Sequence, residues 1–202
     1  VIGMRFFERK EIKDILGYLR LCHNPKDVAS FDRIVNVPAR QIGAKTMVDL
    51  RLWAERLGVT PPEAAMLLTS DEAQPVACPL GPRPRAALAD FGRCILDLSA
   101  ASEDRTVDRL LEAILERTGY LDALRDGTQE GDTREENVRE LIRVAAEFAS
   151  AGPRASLEAF LEDAALAADA DEYDASAEAV TLITLHAARG LEFGTVFLAG
   201  LE

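Results

Sequence analysis

From Arg9 to Ala165 the apolar residues recur at three- and four-residue spacings, and apolar runs of strand type lie only near the two tips of the chain. A 3.6-residue period can bury one side of a helix but not one face of a strand. The chain is therefore restricted to a mainly α body with a little α/β structure at its ends. Ile12, Ile15, Leu16, Leu19 and Cys22 form one helical face, with Arg9, Lys10, Glu11, Lys13 and Asp14 mainly off it and solvated. Asn24-Pro25 stops that helix. A short strand precedes it.

Further helices follow from the same reading. Asp27 or Ser30 can cap one carrying Phe31, Ile34 and Val35. Others run through Met47, Leu50, Leu52, Trp53 and Leu57, and from Thr60-Pro61-Pro62-Glu63 to about Leu68. Residues 70–84, with Pro75, Pro79, Gly81, Pro82 and Pro84, read as a surface loop before a helix over 85–99. Val107, Leu110, Leu111, Ile114 and Leu115 share a face, and a short helical piece covers 121–125. Residues 126–132 read as an exposed loop. The next helix, 134–150, places Glu135, Glu136 and Glu140 on a solvated face. Ser156 is expected to cap a last helix over 157–165, and the acidic, Ala-rich segment 167–178 reads as a linker. At the end, 180–185 and 195–199 read as buried strands around the polar segment His186 to Phe193.

The totals narrow the function. A chain of 202 residues suffices for one or two domains with a real core. A formal net charge of −12 excludes a surface that binds nucleic acid everywhere, so any phosphate contact needs a local basic patch. Cys22, Cys78 and Cys94 lack metal-ligand spacing and point to a reducing, cytoplasmic setting, each as a small buried hydrophobe. No window is long and apolar enough for a membrane span, and the start lacks the features of a signal peptide. Both ends read as interrupted, so a piece of a longer polypeptide is expected.

The patch is found at Asn36-Val37-Pro38-Ala39-Arg40-Gln41-Ile42-Gly43-Ala44-Lys45-Thr46, a Gly-containing turn between two helices with Arg33, Arg40, Lys45 and Arg51 around it. Such a shape aims backbone N–H groups and a positive helix end at phosphate. It is not a nucleotide phosphate loop: G-x-x-x-x-G-K-[ST] needs Gly at Ala39 and Ala44. The acidic segment lacks the spacing of a Ca²⁺ loop.

Three segments carry a resemblance. Thr184, Leu185, His186, Ala188, Gly190, Leu191, Glu192 and Phe193 closely resemble motif V of the superfamily I DNA helicases of the UvrD/PcrA/Rep family, TLHxAKGLEF, with Arg189 in place of the usual Lys. Gly3 to Arg9, continuing to Tyr18, Leu19, Arg20 and Leu21, is similar to the family segment just after motif IV. Pro38, Arg40, Ile42, Gly43 and Thr46 match the family stretch T/V-P-x-R-G-I-G-x-x-T, which contacts the duplex ahead of the fork. Gln41 stands where that stretch has its first Gly, so a reversal needing φ > 0 is strained there.

The resemblance implies a helical 2B-like insertion domain, residues 25–178, flanked by parts of the RecA-like 2A subdomain at 1–24 and 179–202. It implies an ATP-dependent 3′-to-5′ DNA helicase in which Gly190, Glu192 and Arg189 face ATP and Thr184 and His186 face single-stranded DNA. Arg40, Gly43, Lys45 and Thr46 would hold duplex. ATP and Mg²⁺ belong to the intact protein; this chain has no phosphate loop, no paired acidic Mg²⁺ motif and no motif VI arginine. No catalytic residue, metal ligand or bound cofactor is therefore expected in it, and alone it should neither hydrolyse ATP nor unwind DNA. Its implied partners are single-stranded and duplex DNA and the remaining 1A, 1B and 2A subdomains, with no membrane. The alternatives are a free-standing helical DNA- or protein-binding adaptor and part of a helicase–nuclease.

Overall fold

A computed structural model describes residues 6–70, 74–172 and 195–198. Among these residues every regular element is helical: α1 (Lys10–His23), α2 (Val28–Ile34), α3 (Ala44–Leu57), α4 (Pro61–Leu67), α5 (Pro82–Ser102), α6 (Val107–Thr118), α7 (Tyr120–Leu124), α8 (Gln129–Ala146), a 3₁₀ turn (Ala149–Ala151) and α9 (Pro153–Glu172). The mainly α expectation holds for the described residues.

α1 is the axis of the body. It packs against α2, α5, α6, α8 and α9, while α3 packs against α4 and α4 lies along α5. Burial on so many sides explains a departure from the sequence reading. Glu11 and Asp14, expected among solvated charges, are buried. Each has a polar partner: Asn137 Nδ2 donates to Glu11 Oε1 at 2.6 Å, and Tyr120 Oη donates to Asp14 Oδ2 at 2.9 Å. Glu135 is likewise buried rather than solvated, because the Arg125 fork grips both its oxygens at 2.8 Å.

The α4–α5 contact depends on Gly92. A Cβ there would lie 2.6 Å from the carbonyl oxygen of Ala65, so only a glycine lets the two backbones meet.

Several boundaries differ from those read in the sequence. α5 begins at Pro82, because Pro82 and Pro84 fit the first helical turn, where no amide partner is lost. α8 begins at Gln129, because the Thr128 hydroxyl accepts from Gly131 N at 3.0 Å and caps it. Ser156 does not cap its own helix. It lies inside the first turn of α9 and accepts from Val107 N at 3.0 Å, capping α6 across the core. α9 continues through Glu172, where a linker was expected from residue 167; once a helix exists, Ala-rich sequence extends it at little cost. Asp27 caps α2 as anticipated, accepting from Ser30 N at 3.0 Å.

The tips can be compared only in part. Residues 1–5, 180–185 and the polar segment 186–193 lie outside the described residues. The expected buried strand at 195–199 is not seen at 195–198: these residues form no strand, and Phe197 is 91% exposed. A strand needs a neighbour to satisfy its amides, and no described residue offers a ladder.

Candidate nucleic-acid interface

The candidate interface is the turn between α2 and α3. Asn36 closes it: its Oδ1 accepts from Arg40 N at 2.7 Å and Ile42 N at 3.2 Å. The Val37–Pro38 peptide is cis, and Ile42 is buried as the anchor. Gln41 has φ 61°, the left-handed conformation that a side chain makes unfavourable by about 1–2 kcal/mol. Its amide is held in place: Arg83 Nη2 donates to Gln41 Oε1 at 2.8 Å. A cavity of about 390 Å³ opens beside it, lined by Arg40, Gln41, Arg83, Pro84, Ala87 and Asp90.

Gly43 then starts α3. Met47 N closes the first helical bond on Gly43 O at 3.1 Å, so the amides of Gly43, Ala44, Lys45 and Thr46 have no acceptor within the helix. No side chain caps this end and no acidic residue sits in its first turn. A Cβ on Gly43 would meet nothing within 4 Å, so the end is open. Lys45 is exposed in the same turn and forms no ion pair with a described residue. Positive helix end, free amides and a free ammonium coincide, which suits an oxyanion.

The other cations of the expected cluster are committed elsewhere. Arg33 Nη2 lies 2.8 Å from Asp14 Oδ1, and Arg51 Nη2 lies 2.8 Å from Asp32 Oδ1. Arg40 is turned inward. Its Nη1 donates to the carbonyls of Ile34 at 3.2 Å, Val35 at 3.3 Å and Pro38 at 3.1 Å, and its Nη2 donates to Tyr18 Oη at 2.7 Å. The guanidinium also sits over the Phe91 ring, 5.1 Å from its centroid. The structure thus groups Gly43, Lys45 and Thr46 at the head of α3 and sets Arg40 behind them. Thr184, His186, Arg189, Gly190 and Glu192 lie outside the described residues.

Three participants escape a sequence reading. Asn36 leaves a faint signal, a short amide side chain just after a helix, where it can bond backbone a few residues on. Tyr18 and Arg83 leave none, because their partners are 22 and 42 residues away along the chain.

Burial pushes the Tyr18 hydroxyl from an ordinary 10.0 up to about 12, against the pull of the Arg40 charge. Burial also pushes the thiol of Cys22, one turn further along the same helix, from 9.0 up to about 12. In both cases the unfolded chain releases its proton first as pH rises, so alkali favours unfolding. Stability should be flat below about pH 8 and fall steadily between about pH 9 and pH 12, read as the urea midpoint across that range.

Comparison with known proteins settles the family. The UvrD-like helicase C-terminal domain family matches residues 1–60 and 90–202. The chain belongs to this family. It is 39% identical over 209 residues to the ATP-dependent DNA helicase PcrA of Bacillus subtilis, covering 99% of this chain and 27% of that protein. It is 38% identical over 207 residues to DNA helicase II of Escherichia coli K12, covering 99% of this chain and 28% of that protein. DNA helicase II of Haemophilus influenzae is 34% identical over 204 residues, with 99% and 27% covered. The chain thus spans about a quarter of the length of these relatives. The α2–α3 turn falls within the part matched to the UvrD-like helicase family, whereas Arg83 lies in the unmatched interval between residues 60 and 90. Among the described residues no helix is long and apolar enough to cross a membrane.

Proposed function

We propose that this chain is the part of an ATP-dependent, 3′-to-5′ DNA helicase that holds duplex DNA, through the turn over residues 36–46 and the head of α3. The observation that carries the reading is the open, uncapped start of α3 with Lys45 in its first turn, on a molecule whose net charge is −12. On so acidic a surface, a cation paired with no carboxylate among the described residues, beside amides without helical acceptors, is a place for the DNA backbone rather than a solubility device. Family membership and relatives named as DNA helicases support the assignment.

In this reading the two tips form part of a RecA-like subdomain and the helices between them form a 2B-like body that moves against it. The seam is taken at residue 24, and α1, which packs against α2, α5, α8 and α9, would be the element through which the two parts meet. Glu192, Gly190 and Arg189 would meet ATP, and Thr184 and His186 the single strand. ATP hydrolysis with Mg²⁺ requires the phosphate loop and paired acids of the subdomains that this chain lacks. The chain alone should therefore show no DNA-stimulated ATPase.

Duplex binding followed by anisotropy over a salt series tests the interface. Lys45→Ala should weaken binding at every salt concentration and reduce the slope of log affinity against log salt by about 0.9, the loss of one phosphate contact. An unchanged slope and affinity would remove this face from consideration.

A further inference from the structure

Arg40 occupies the position at which the turn would be expected to meet phosphate, yet four hydrogen bonds direct its guanidinium into the protein. We propose that Arg40 is a positioning residue: it fixes the shape of the α2–α3 turn from behind, so that the head of α3 and Lys45 face the DNA backbone, and it does not itself hold phosphate. The inference rests on the duplex-binding reading above.

The geometry fits this task better than a ligand's. α2 ends at Ile34, and its last carbonyls have no partner within the helix. Arg40 Nη1 reaches the carbonyls of Ile34, Val35 and, beyond the helix, Pro38, so one nitrogen ties both limbs of the turn. Nη2 is fixed on Tyr18 Oη, and that hydroxyl donates onward to Val37 O at 2.6 Å. Tyr18 is wholly buried on α1, the axis of the body. The turn is thus referenced to α1 through Tyr18 and to α5 through the ring of Phe91. From outside, Asn36 joins the amides of Arg40 and Ile42. The turn needs such bracing because it carries Gln41 at φ 61°, where the backbone would otherwise relax. A lysine cannot replace this arrangement. Its ammonium is a point charge, while the guanidinium presents two nitrogens in a fixed plane and also stacks on a ring.

Tyr18→Phe provides the decisive test, since a side chain with no exposed surface cannot touch DNA. Tyr18→Phe, Arg40→Lys and Arg40→Ala would be compared with Lys45→Ala by duplex anisotropy over a salt series. Backbone amide hydrogen exchange would be followed at Arg40 and Ile42, with circular dichroism confirming helicity. A positioning residue predicts that Tyr18→Phe and Arg40→Lys each weaken duplex binding about fivefold with the wild-type salt slope. Both should also speed exchange of the two amides. Arg40→Ala should keep the slope, while Lys45→Ala lowers it. If instead Arg40→Lys binds as wild type does, or Arg40→Ala lowers the slope by about 0.9, Arg40 is a phosphate ligand and the proposal is overturned. Should Arg40→Lys lose helicity, Tyr18→Phe decides alone. Absence of duplex binding by the wild type at the lowest salt would sink the duplex reading. The exchange data then still decide whether Arg40 shapes the turn, since unaltered amides in Tyr18→Phe and Arg40→Lys would end that claim too.

Discussion

Trp53→Ala should lower the unfolding free energy by about 3–5 kcal/mol, the range for truncating a fully buried aromatic side chain. Trp53 is 1% exposed and is the single tryptophan of the chain. It stands on the inner side of α3 and packs that helix onto the body. Its ring nitrogen donates to the carbonyl of Val76 at 3.0 Å, so it also secures the loop that leads to α5. Truncation leaves a cavity and strips the Val76 carbonyl of its donor. For a chain of this size the melting temperature should fall by roughly 10 °C. Trp53→Phe keeps most of the apolar volume and loses the hydrogen bond, so it should cost only about 1–2 kcal/mol. Denaturation followed by circular dichroism at the helical band would read both variants. Equal losses in the two would show that the hydrogen bond, not the ring's volume, holds α3 in place.

The second large effect is expected at Asp14. Its carboxylate is 3% exposed and receives Arg33 at 2.8 Å on one oxygen and Tyr120 at 2.9 Å on the other, joining α1, α2 and α7. The charge of Asp14 adds to burial in pushing the Tyr120 hydroxyl well above its usual range. Arg33→Met removes the only cation paired with Asp14 among the described residues. Breaking a buried pair from one side costs about 3–5 kcal/mol, because the remaining charge stays desolvated. Arg33 is itself 36% exposed, so solvent screens part of the interaction, and a loss of about 2–3 kcal/mol is expected. The loss should come mainly from the stranded carboxylate. Arg33→Met with Asp14→Asn should therefore be more stable than Arg33→Met alone, as read by urea midpoints. If the double variant is the less stable of the two, the stranded charge is not the cause.

Much of the fold could be read from the sequence because helices leave a local record. The faces of α1, α3, α5, α6 and α8 are spelled by spacing, and Asp27 capped as its chemistry suggests. What could not be read depends on partners remote in sequence. Glu11, Asp14 and Glu135 look like solvated charges until α1 is seen to be enclosed and Arg125 is seen beside Glu135. Ser156 looks like the cap of its own helix, and nothing near it in sequence shows that Val107 is its partner. The candidate interface divides in the same way. The start of α3 after a Gly-containing turn and Lys45 within it follow from residue type and order, and the conformational demand on Gln41 from the resemblance to a stretch that has Gly there. The inward turn of Arg40 does not, since a guanidinium suits a phosphate and a ring of carbonyls equally well, and Tyr18 sits on another helix.

The missing side chain at Gly92 has a mechanical consequence. At Gly92 no rotatable group stands between α4 and α5, only main chain against main chain, 2.6 Å from any methyl that could be placed there. α3 bears on α4. A pull on the outer end of α3 is therefore passed to α5 as displacement rather than absorbed as rotamer motion, so the body behaves as a lever with a stiff joint at this point.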